Sequence, residues 1–441
     1  MRVLYDRVAA IDVHKDMIKV AVRVPGKKRG SRTTDVLEYR TFYGVLRAMA
    51  RELRDGRGVT HVVMEASGVY TEPVYYALTE LDFTEVLVVN PADVKALKGQ
   101  KTDAKDAVRL LDLYECGAVM RGSYIPAPDL KEVRDLVRYR VKTVQARTSE
   151  IQRLQKTLES AGIKPGSVVS DITGDSPAAM IRALIDGERR GAVMADLALG
   201  RMRTAGKLAD LSMALEGRFT SHHALMCRLH LDRISMFDDA VDGLDAEISP
   251  LVSRHAREAG LLDTIPGFGH VVTAGWLGAI GPVPHEHFAT AERLASWVTL
   301  CPGNYISARK SRSGRTGDGG NYIKPLLVQA AWAAVRVPGR LQARFHRLVR
   351  KFGGPKNKGA KKRAIIAIAH TLLKIAYAVL KSGRPYEEPG ADFYTRRESP
   401  AQRQAFLERQ LHKLHPGCTI TITISPPEPP DRPTLTGTAV P

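Results

Sequence analysis

Hydrophobic and polar positions in the first part of the chain follow two different periods. Strand-like runs or alternations of apolar residues lie at residues 7–14, 17–24, 37–42, 61–66 and 85–90. Helical patterns lie at residues 45–53, 72–81 and 103–113, the last with Thr102 as its N-cap. The first three strands follow one another through turns, which is typical of an antiparallel meander. The resulting order βββαβαβα predicts a ribonuclease H-like domain, a mixed sheet flanked by helices.

A different pattern begins at residue 129. Apolar residues recur every three or four positions from 130 to 158 over roughly four heptads, which predicts a long helix, a coiled coil and a candidate dimerisation element. Residues 162–260 are mostly helical in pattern but are interrupted by glycines, and further helical segments run from Ile265 to Gly383. The sequence after Pro385 is rich in proline and charge, and we expect it to be poorly ordered.

These patterns predict an α/β domain followed by α-helical regions. The predicted boundaries are a ribonuclease H-like domain at 1–128, a helical or coiled-coil region at 129–260, a basic, mainly helical domain at 261–386 and a proline-rich tail at 387–441. The turn Pro266-Gly-Phe-Gly269 resembles that of a helix-hairpin-helix, which aims backbone N–H groups at a DNA phosphate, although plain turns of this kind are common.

The charge of the chain is concentrated in one region. The 441 residues contain 66 Lys and Arg against 47 Asp and Glu, a formal net charge of +19. Residues 293–386 contain 20 Lys and Arg and a single acid, Asp318, so this range alone accounts for the whole excess. An excess of this size predicts a polyanionic partner. The segment 336–363, in which aromatic residues are interleaved with basic ones, suits a nucleic-acid backbone, and Lys361, Lys362 and Arg363 are its candidate contacts.

Other features narrow the class of protein. Four widely spaced cysteines form no CxxC pair, which argues against a zinc ribbon or a disulfide framework and favours the reducing cytoplasm. The start of the chain lacks the order of a signal peptide, and the apolar segment 364–380 is interrupted by His370 and Lys374, so we expect no membrane partner. No GxxxxGK[ST] motif is present, which argues against nucleotide hydrolysis.

Four acids of the first region lie where a predicted strand ends or a helix begins. Asp12 and Glu65 follow apolar runs, and Asp103 and Asp106 are three residues apart on a predicted helix. Neighbouring carboxylates repel one another, and a bound divalent cation such as Mg²⁺ is the usual reason to tolerate this. Each acid alone also has a plain structural explanation as a strand end, an edge charge or a helix cap.

Several segments carry a family resemblance. They are AAIDVHKD (9–16), VVMEASGVYTEPV (62–74), VNPADVKALKGQKTDAKDA (89–107), IPGFG (265–269), CPGNYISARKSRSG (301–314) and the GN…L…A pattern at 320–331. These segments resemble the DEDD transposases of the insertion sequence 110 family, which are recombinases guided by a structured bridge RNA. The resemblance implies a ribonuclease H-like domain similar to Holliday-junction resolvases, whose acidic tetrad binds Mg²⁺. Carried over, this tetrad is Asp12, Glu65, Asp103 and Asp106.

The resemblance also implies a nucleophilic serine in a second domain. The corresponding string, Leu300 to Ser307, makes Ser307 the candidate, with Ser311 and Ser313 as alternatives, since Ala308 stands where many relatives have glycine. A serine hydroxyl is a poor nucleophile unless its surroundings favour the alkoxide. Nearby cations would do this and would also hold the attacked phosphate, and they are Arg309, Lys310, Arg312 and Arg315. Without the resemblance, the segment would simply be a flexible basic loop.

The favoured interpretation is a DNA recombinase that cuts and rejoins strands through a Mg²⁺-assisted covalent phosphoserine. The resemblance implies target and donor DNA as substrates, a noncoding guide RNA, and an active site shared between protomers of a dimer or tetramer in the prokaryotic cytoplasm, associated with the nucleoid. Two alternatives stay open. One is a structure-selective, metal-dependent nuclease in which Ser307 is incidental, and the other is a non-catalytic nucleic-acid-binding protein.

Overall fold

A five-stranded mixed sheet organises the first part of the chain. In this computed structural model the strands are β1 (Val8–Val13), β2 (Met17–Pro25), β3 (Arg32–Arg40), β4 (His61–Glu65) and β5 (Glu85–Val89). Their order across the sheet is β3-β2-β1-β4-β5. Strands β1 to β3 are antiparallel, whereas β4 is parallel to both β1 and β5. The predicted ribonuclease H-like arrangement is therefore confirmed.

The structure describes most of the chain. The described residues are 4–28, 30–91, 94, 103–118, 122–302, 306–307, 310–311, 316, 322–396, 400–415 and 417. The chain divides into two compact units, Met1–Ala127 and Pro128–Pro441. The finer boundaries predicted after residues 260 and 386 remain predictions, and Thr102 lies outside the described residues.

The two faces of the sheet are covered by different helices. Alternation along β1 places Ile11 in one core with residues of α1 (Tyr43–Arg51) and α2 (Thr71–Thr79). It places Val8 and Ala10 in the opposite core with Val63 of β4 and with α3 (Asp103–Glu115). The residues that α3 buries there follow helical spacing and are Ala107, Leu110, Leu111 and Tyr114.

The carboxyl end of α3 is fixed to the sheet by a buried carboxylate. The Glu115 side chain is only 6% exposed and forms ion pairs with Arg23 (2.7 Å) and Arg32 (2.8 Å). The Glu115 carbonyl accepts a hydrogen bond from the backbone N–H of Leu4, just before β1. Because α3 ends where β1 begins, the helix runs antiparallel to that strand. Its first turn therefore points toward the carboxyl ends of β1 and β4.

The second unit is helical apart from one short hairpin in its described part. Its longest helices are α4 (Pro128–Ser160), α8 (Ser221–Ser253) and α15 (Lys358–Ser382). The others are α5 (Asp175–Ile185), α6 (Gly191–Ala195), α7 (Ala205–Ala214), α9 (Ala256–Asp263), α10 (His270–Ile280), α11 (Pro284–His287), α12 (Ala291–Trp297), α13 (Ile323–Ala334), α14 (Arg340–Lys351), α16 (Phe393–Arg396) and α17 (Pro400–Leu414). The hairpin consists of β6 (Ile306–Ser307) and β7 (Lys310–Ser311).

Helix α4 confirms the long helix predicted over 129–158, and its partner is α8 of the same chain. The guanidinium of Arg140 donates to both carboxylate oxygens of Asp245 (2.6 and 2.7 Å), whereas Glu150 pairs with His230 at 2.7 Å. Residues later in α4 contact residues earlier in α8, so the two helices are antiparallel. The roles of α4 in a coiled coil and in dimerisation remain predictions.

Helix α15 is the central helix of the second unit. It is the one described helix with the length and apolarity of a membrane span. However, 61% of its most apolar stretch is buried inside the protein. Ile365, Leu372 and Ala376 are among its buried residues, and helices α9 and α11–α14 pack around it. Its apolar character is therefore explained by a core position.

The turn at Pro266–Gly269 joins α9 and α10. Gly267 adopts φ 86°, and a Cβ atom there would lie 2.2 Å from the carbonyl oxygen of Ala330 on α13. Because glycine has no Cβ atom, the turn can lie close to the backbone of α13. Gly269 is the N-cap of α10 and has open space around its Cα atom.

The segment after Pro385 was expected to be poorly ordered, but its described part contains structure. The segment contacts α14 through Glu388, Phe393 and Tyr394, and a Glu388 oxygen accepts a hydrogen bond from the Arg340 backbone N–H (2.8 Å). Helix α17 follows at Pro400–Leu414. Composition alone gives no sign of these specific contacts. The alternating Thr-Ile segment at residues 419–424, whose period is typical of a strand, lies outside the described residues.

We predict that Glu115→Ala loosens α3 much more than Asp112→Ala does. Both acids pair with Arg23, but Asp112 is 57% exposed. Removing the buried carboxylate leaves Arg32 without this partner and Arg23 with only the exposed Asp112, at a cost of about 3 kcal/mol, whereas an exposed pair contributes at most about 1 kcal/mol. Amide hydrogen exchange of peptides covering 106–118 measures the difference. Equal acceleration in the two variants would contradict this account.

Candidate functional site

Asp12 and Glu65 lie side by side at the carboxyl ends of two neighbouring parallel strands. Strand β1 pairs with β4 in a register that joins Ile11 to Met64, and the next residues along each strand are Asp12 and Glu65. Alternation places Asp12 on the same face as Ala10, and Glu65 on the same face as Val63. Neighbouring strands are about 4.8 Å apart, so both half-buried carboxylates belong to one small region of the face that α3 covers.

The other two predicted acids lie in the first turn of α3. Asp103 is the first residue of this helix, and Asp106 is half-buried. Asp103 precedes Ala107 by four positions and Asp106 precedes Leu110 by four, so both continue the stripe by which α3 packs on the sheet. The direction of α3 turns this end of the stripe toward the carboxyl ends of β1 and β4. The side chain of Asp103 lies outside the described part of the structure.

The donor set at this edge of the sheet suits a hard divalent cation. Carboxylate oxygens are the ligands that Mg²⁺ prefers, together with water and substrate phosphates. Among the side chains that the structure describes, which do not include that of Asp103, no three Asp, Glu, His or Cys residues gather closely enough to form a complete metal site. The described pair on β1 and β4 supplies part of a ligand set, and the first turn of α3 would supply the rest.

His14 is a neighbour of the site that the sequence reasoning missed. Its Nε2 atom lies 3.1 Å from Oδ2 of Asp12, and its side chain is about half exposed. The two residues are two positions apart at the end of β1, so strand alternation brings them to the same side. The sequence Ile-Asp-Val-His shows this two-residue spacing, which is the signal from which His14 could be predicted as a neighbour of Asp12. The imidazole gives Asp12 a hydrogen-bond partner that orients its carboxylate.

Ser307 lies at the turn end of the short β6–β7 hairpin. The backbone register pairs Ser307 with Lys310 and Ile306 with Ser311. Two of the three candidate serines are therefore placed on opposite strands of one hairpin, and Ser313 lies outside the described residues. Lys310 is brought directly opposite Ser307 in the backbone pairing. Arg309, Arg312 and Arg315 lie outside the described residues.

The base of the segment that contains this hairpin is held at several points. Pro302 and Thr316 form an isolated antiparallel bridge, and Lys324 donates a hydrogen bond from Nζ to Oγ1 of Thr316 (3.0 Å). Tyr322 has the guanidinium of Arg138 4.9 Å from its ring centroid and the ammonium of Lys142 at 5.8 Å. Sequence reasoning missed these cations of α4 because they are about 180 residues away from Tyr322.

Thr299 sets the backbone direction just before this segment. Its φ of 58° is in the left-handed region, and it is the one described non-glycine residue with positive φ. A β-branched residue in this conformation is strained by about 1–3 kcal/mol and persists because the surrounding structure fixes it. Here the N–H of Leu300 is hydrogen-bonded to the Ala295 carbonyl, and the Leu300 side chain is buried. The turn that leads to the hairpin is therefore firmly held.

The predicted basic contacts at the start of α15 differ in their surroundings. Lys361 and Lys362 are exposed on the first turns of the helix. The guanidinium of Arg363 donates to the carbonyl oxygen of Phe352 (2.8 Å) and lies 5.2 Å from the centroid of the Phe352 ring. The two lysines are accordingly the more accessible charges for a phosphate, whereas Arg363 also joins α15 to the end of α14.

Comparison with protein families matches both regions that carry the predicted site residues. A family model for DEDD transposases, described as "Transposase", matches residues 9–163. A second model, described as "Transposase IS116/IS110/IS902 family", matches residues 259–346. The chain belongs to the insertion sequence 110 family of transposases. The two matches contain Asp12, Glu65, Asp103 and Asp106 in one part and Ser307 in the other.

Curated relatives include two pilin gene-inverting proteins. The chain is 34% identical over 166 residues to the pilin gene-inverting protein of Moraxella bovis and 33% identical over 166 residues to that of Moraxella lacunata. Each match covers 36% of this chain and 48% of the relative, so the chain spans about half the length of these relatives.

A solved structure of Thermus thermophilus RuvC is also similar to part of this chain. The match has 16% sequence identity and a TM-score of 0.20, and it covers 26% of this chain and 98% of that one.

We predict that divalent cations bind at the edge formed by β1, β4 and α3. Isothermal titration calorimetry with Mg²⁺ should detect binding to the wild-type protein and a loss of that binding in Asp12→Asn, Glu65→Gln and Asp106→Asn, because each change removes a charged oxygen ligand. Asp16→Asn is the matched control, since Asp16 is an exposed acid four residues after Asp12. Undiminished binding in a folded variant would remove that residue from the site.

We predict a steep salt dependence of nucleic-acid affinity, because the excess charge is concentrated in residues 293–386. Reversing the charges of Lys361, Lys362 and Arg363 should flatten the plot of log Kd against log salt concentration by about 0.9 for each phosphate that the variant no longer neutralises. The exposed pair Lys27 and Lys28 is the control for charge reversal outside this region. An unchanged slope in the triple variant would place the bound polyanion elsewhere.

Proposed function

We propose that this protein is the recombinase of a mobile element, which cuts and rejoins DNA strands through a covalent phosphoserine. The observation that carries the proposal is the pair of carboxylates, Asp12 and Glu65, at the neighbouring carboxyl ends of β1 and β4. Strands that come together in the fold bring these acids to one edge although they lie far apart in the sequence. Membership of the transposase family supports the same chemistry.

The carboxylates of Asp12, Glu65, Asp103 and Asp106 hold Mg²⁺ in this proposal. The bound ion supplies Lewis acidity toward a DNA phosphate. The chain's own contribution is to fix the ligands before DNA arrives. Asp12 is oriented by His14, and the two acids of α3 are fixed because Glu115 anchors the far end of that helix. Preorganised ligands reduce the reorganisation that the reaction requires.

Ser307 is the nucleophile of the proposed reaction. Its hydroxyl oxygen forms a bond to phosphorus, its proton passes to solvent, and the bond from phosphorus to one deoxyribose oxygen breaks, with that oxygen taking up a proton. Attack by a deoxyribose hydroxyl of another strand reverses these steps and joins the new strands. The phosphodiester bond energy is conserved in the ester, so no nucleotide triphosphate is consumed. The cations Arg309, Lys310, Arg312 and Arg315 stabilise the negative charge of the transition state.

Target and donor DNA are the proposed substrates, and a structured noncoding RNA is the proposed guide. The strong basic excess of residues 293–386 supports binding of more than one nucleic-acid strand. A dimer or tetramer is proposed because paired cuts at two DNA sites require more than one catalytic centre. Action on DNA places the protein with the nucleoid in the prokaryotic cytoplasm.

Substitution of the serines tests the nucleophile. Ser307→Ala should eliminate the covalent protein–DNA adduct on denaturing electrophoresis and abolish recombination, while leaving RNA and DNA affinity within about twofold, because a single hydroxyl contributes little to binding through many phosphates. Ser311→Ala and Ser313→Ala are the matched controls and should retain the adduct.

The other outcomes are equally informative. An adduct that persists in Ser307→Ala would assign the nucleophile to a neighbouring serine. Metal-dependent nicking by the wild-type protein without any adduct would instead identify a structure-selective nuclease. Binding without nicking or adduct formation would identify a non-catalytic nucleic-acid-binding protein.

A further inference from the structure

An acidic, aromatic segment directly follows the basic region and lies on it. We name residues 386–394 the acidic strap. Its sequence Tyr-Glu-Glu-Pro-Gly-Ala-Asp-Phe-Tyr contains three acids and no base, although residues 336–385 before it contain no acid. A nucleic acid would bind α14 through negative charge and aromatic rings. The strap supplies both of these to α14.

The first part of the acidic strap is fixed at the N-terminus of α14. The carboxylate of Glu388 accepts hydrogen bonds from the backbone N–H of Arg340 (2.8 Å) and from the N–H of Gly390 (3.0 Å). Its other oxygen accepts a hydrogen bond from the Tyr386 hydroxyl (2.9 Å). A carboxylate at this position also interacts favourably with the positive end of the helix dipole.

The second part of the strap covers three arginines of α14. Arg340, Arg344 and Arg347 are spaced four and three residues apart, which places them on one face of the helix. Their guanidinium carbons lie 5.7, 5.5 and 5.5 Å from the centroid of the Tyr394 ring. Arg340 also stacks on Phe393 at 4.2 Å. Three like charges on a single face repel one another, and one aromatic side chain lies among all of them.

The Tyr394 hydroxyl occupies a position suited to an anionic oxygen. It accepts hydrogen bonds from Nη1 of Arg344 (2.9 Å) and Nε of Arg340 (3.2 Å). Burial raises the pKa of Tyr394, but these two guanidinium hydrogen bonds outweigh it and lower the pKa below its usual value. The phenol satisfies only part of the donor set, because Nε of Arg344 is buried and has no hydrogen-bond partner among the described residues.

His370 and Lys374 of the neighbouring helix lie near Arg344. The pKa of His370 on α15 is lowered by burial and by the charges of Lys374 and Arg344, with Glu292 opposing. The carboxylate of Glu292 is itself paired with Lys374 at 2.5 Å. A phosphate that reached this face would therefore meet three guanidinium groups, whereas His370 and Lys374 add little net positive charge.

We propose that Arg340, Arg344 and Arg347 form a binding site for a nucleic-acid phosphate, and that the acidic strap occupies this site in the free protein. The Tyr394 hydroxyl takes the place of a phosphate oxygen, and the aromatic pair takes the place of a base. Bound nucleic acid displaces residues 392–394, while Glu388 keeps the start of the strap attached to α14. The proposal rests on the proposed nucleic-acid-binding function.

Removing the side chain of Tyr394 tests the proposal, because the strap and a phosphate compete for the same donors. Tyr394→Ala should lower the Kd for a fluorescein-labelled 24-nucleotide single-stranded RNA or 24-base-pair DNA duplex by on the order of tenfold, the effect of a freed charge-assisted hydrogen bond. The salt slope should become steeper by about 0.9 for the duplex, or about 0.7 for the single strand, for each additional phosphate that is neutralised. The two probes distinguish RNA from DNA as the displacing ligand.

Two further variants show where any increase in affinity arises. Arg344→Gln in the Tyr394→Ala background should abolish the increase, because the freed site then lacks a donor. Tyr43→Ala is the matched control, since Tyr43 is a partly exposed tyrosine of the first unit whose hydroxyl donates to Glu80 (2.7 Å). Unchanged or weakened binding by Tyr394→Ala would overturn the proposal. Covalent adduct formation through Ser307, measured on the same variants, tests the proposed function separately.

Discussion

The buried carboxylate of Glu115 is the contact on which the candidate metal site depends. Asp12 and Glu65 are placed by the sheet itself, but Asp103 and Asp106 belong to a helix that reaches the sheet only by packing against it. The ion pairs of Glu115 with Arg23 and Arg32 join this helix to β2 and β3. Because a buried carboxylate without partners is costly, this contact holds α3 at one position along the sheet. The apolar stripe from Ala107 to Tyr114 then determines which side of the helix faces the strands.

The proposed site places carboxylates, which repel one another, at the ends of hydrogen-bonded strands of the sheet. The carboxylates of Asp12 and Glu65 lie at the carboxyl ends of β1 and β4, whereas the arginines that pair with Glu115 lie at the opposite end of α3. A cation at the carboxylate edge would relieve the repulsion and would itself stabilise the docked position of α3.

The sequence patterns predict the strands of the first unit better than the helix packing of the second unit. The strands were predictable because period-two alternation and turn residues are local signals, and the acids stood at the ends of those strands. The pairing of α4 with α8 was not predictable, because the contact between Arg140 and Asp245 links residues more than a hundred positions apart. The β6–β7 hairpin was missed because two-residue strands carry no periodic pattern.

The acidic strap shows a further limit of composition as a guide. A proline-rich, charged segment ordinarily lacks the apolar surface that folding requires, and this led to the expectation of disorder. Here the segment is ordered at residues 386–394 by charge complementarity with α14 and by stacking of Phe393 and Tyr394 on arginines. The composition of the segment alone does not show that the basic helix α14, which precedes it in the chain, supplies its partners.

The central claim is that β1, β4 and α3 hold one divalent cation, and anomalous scattering from crystals containing Mn²⁺ tests it most directly. Mn²⁺ accepts the same oxygen ligands as Mg²⁺. The account predicts an anomalous peak within about 2.3 Å of carboxylate oxygens from Asp12, Glu65 and at least one acid of the first turn of α3. A peak bound elsewhere, or one at this edge without a ligand from α3, would contradict it.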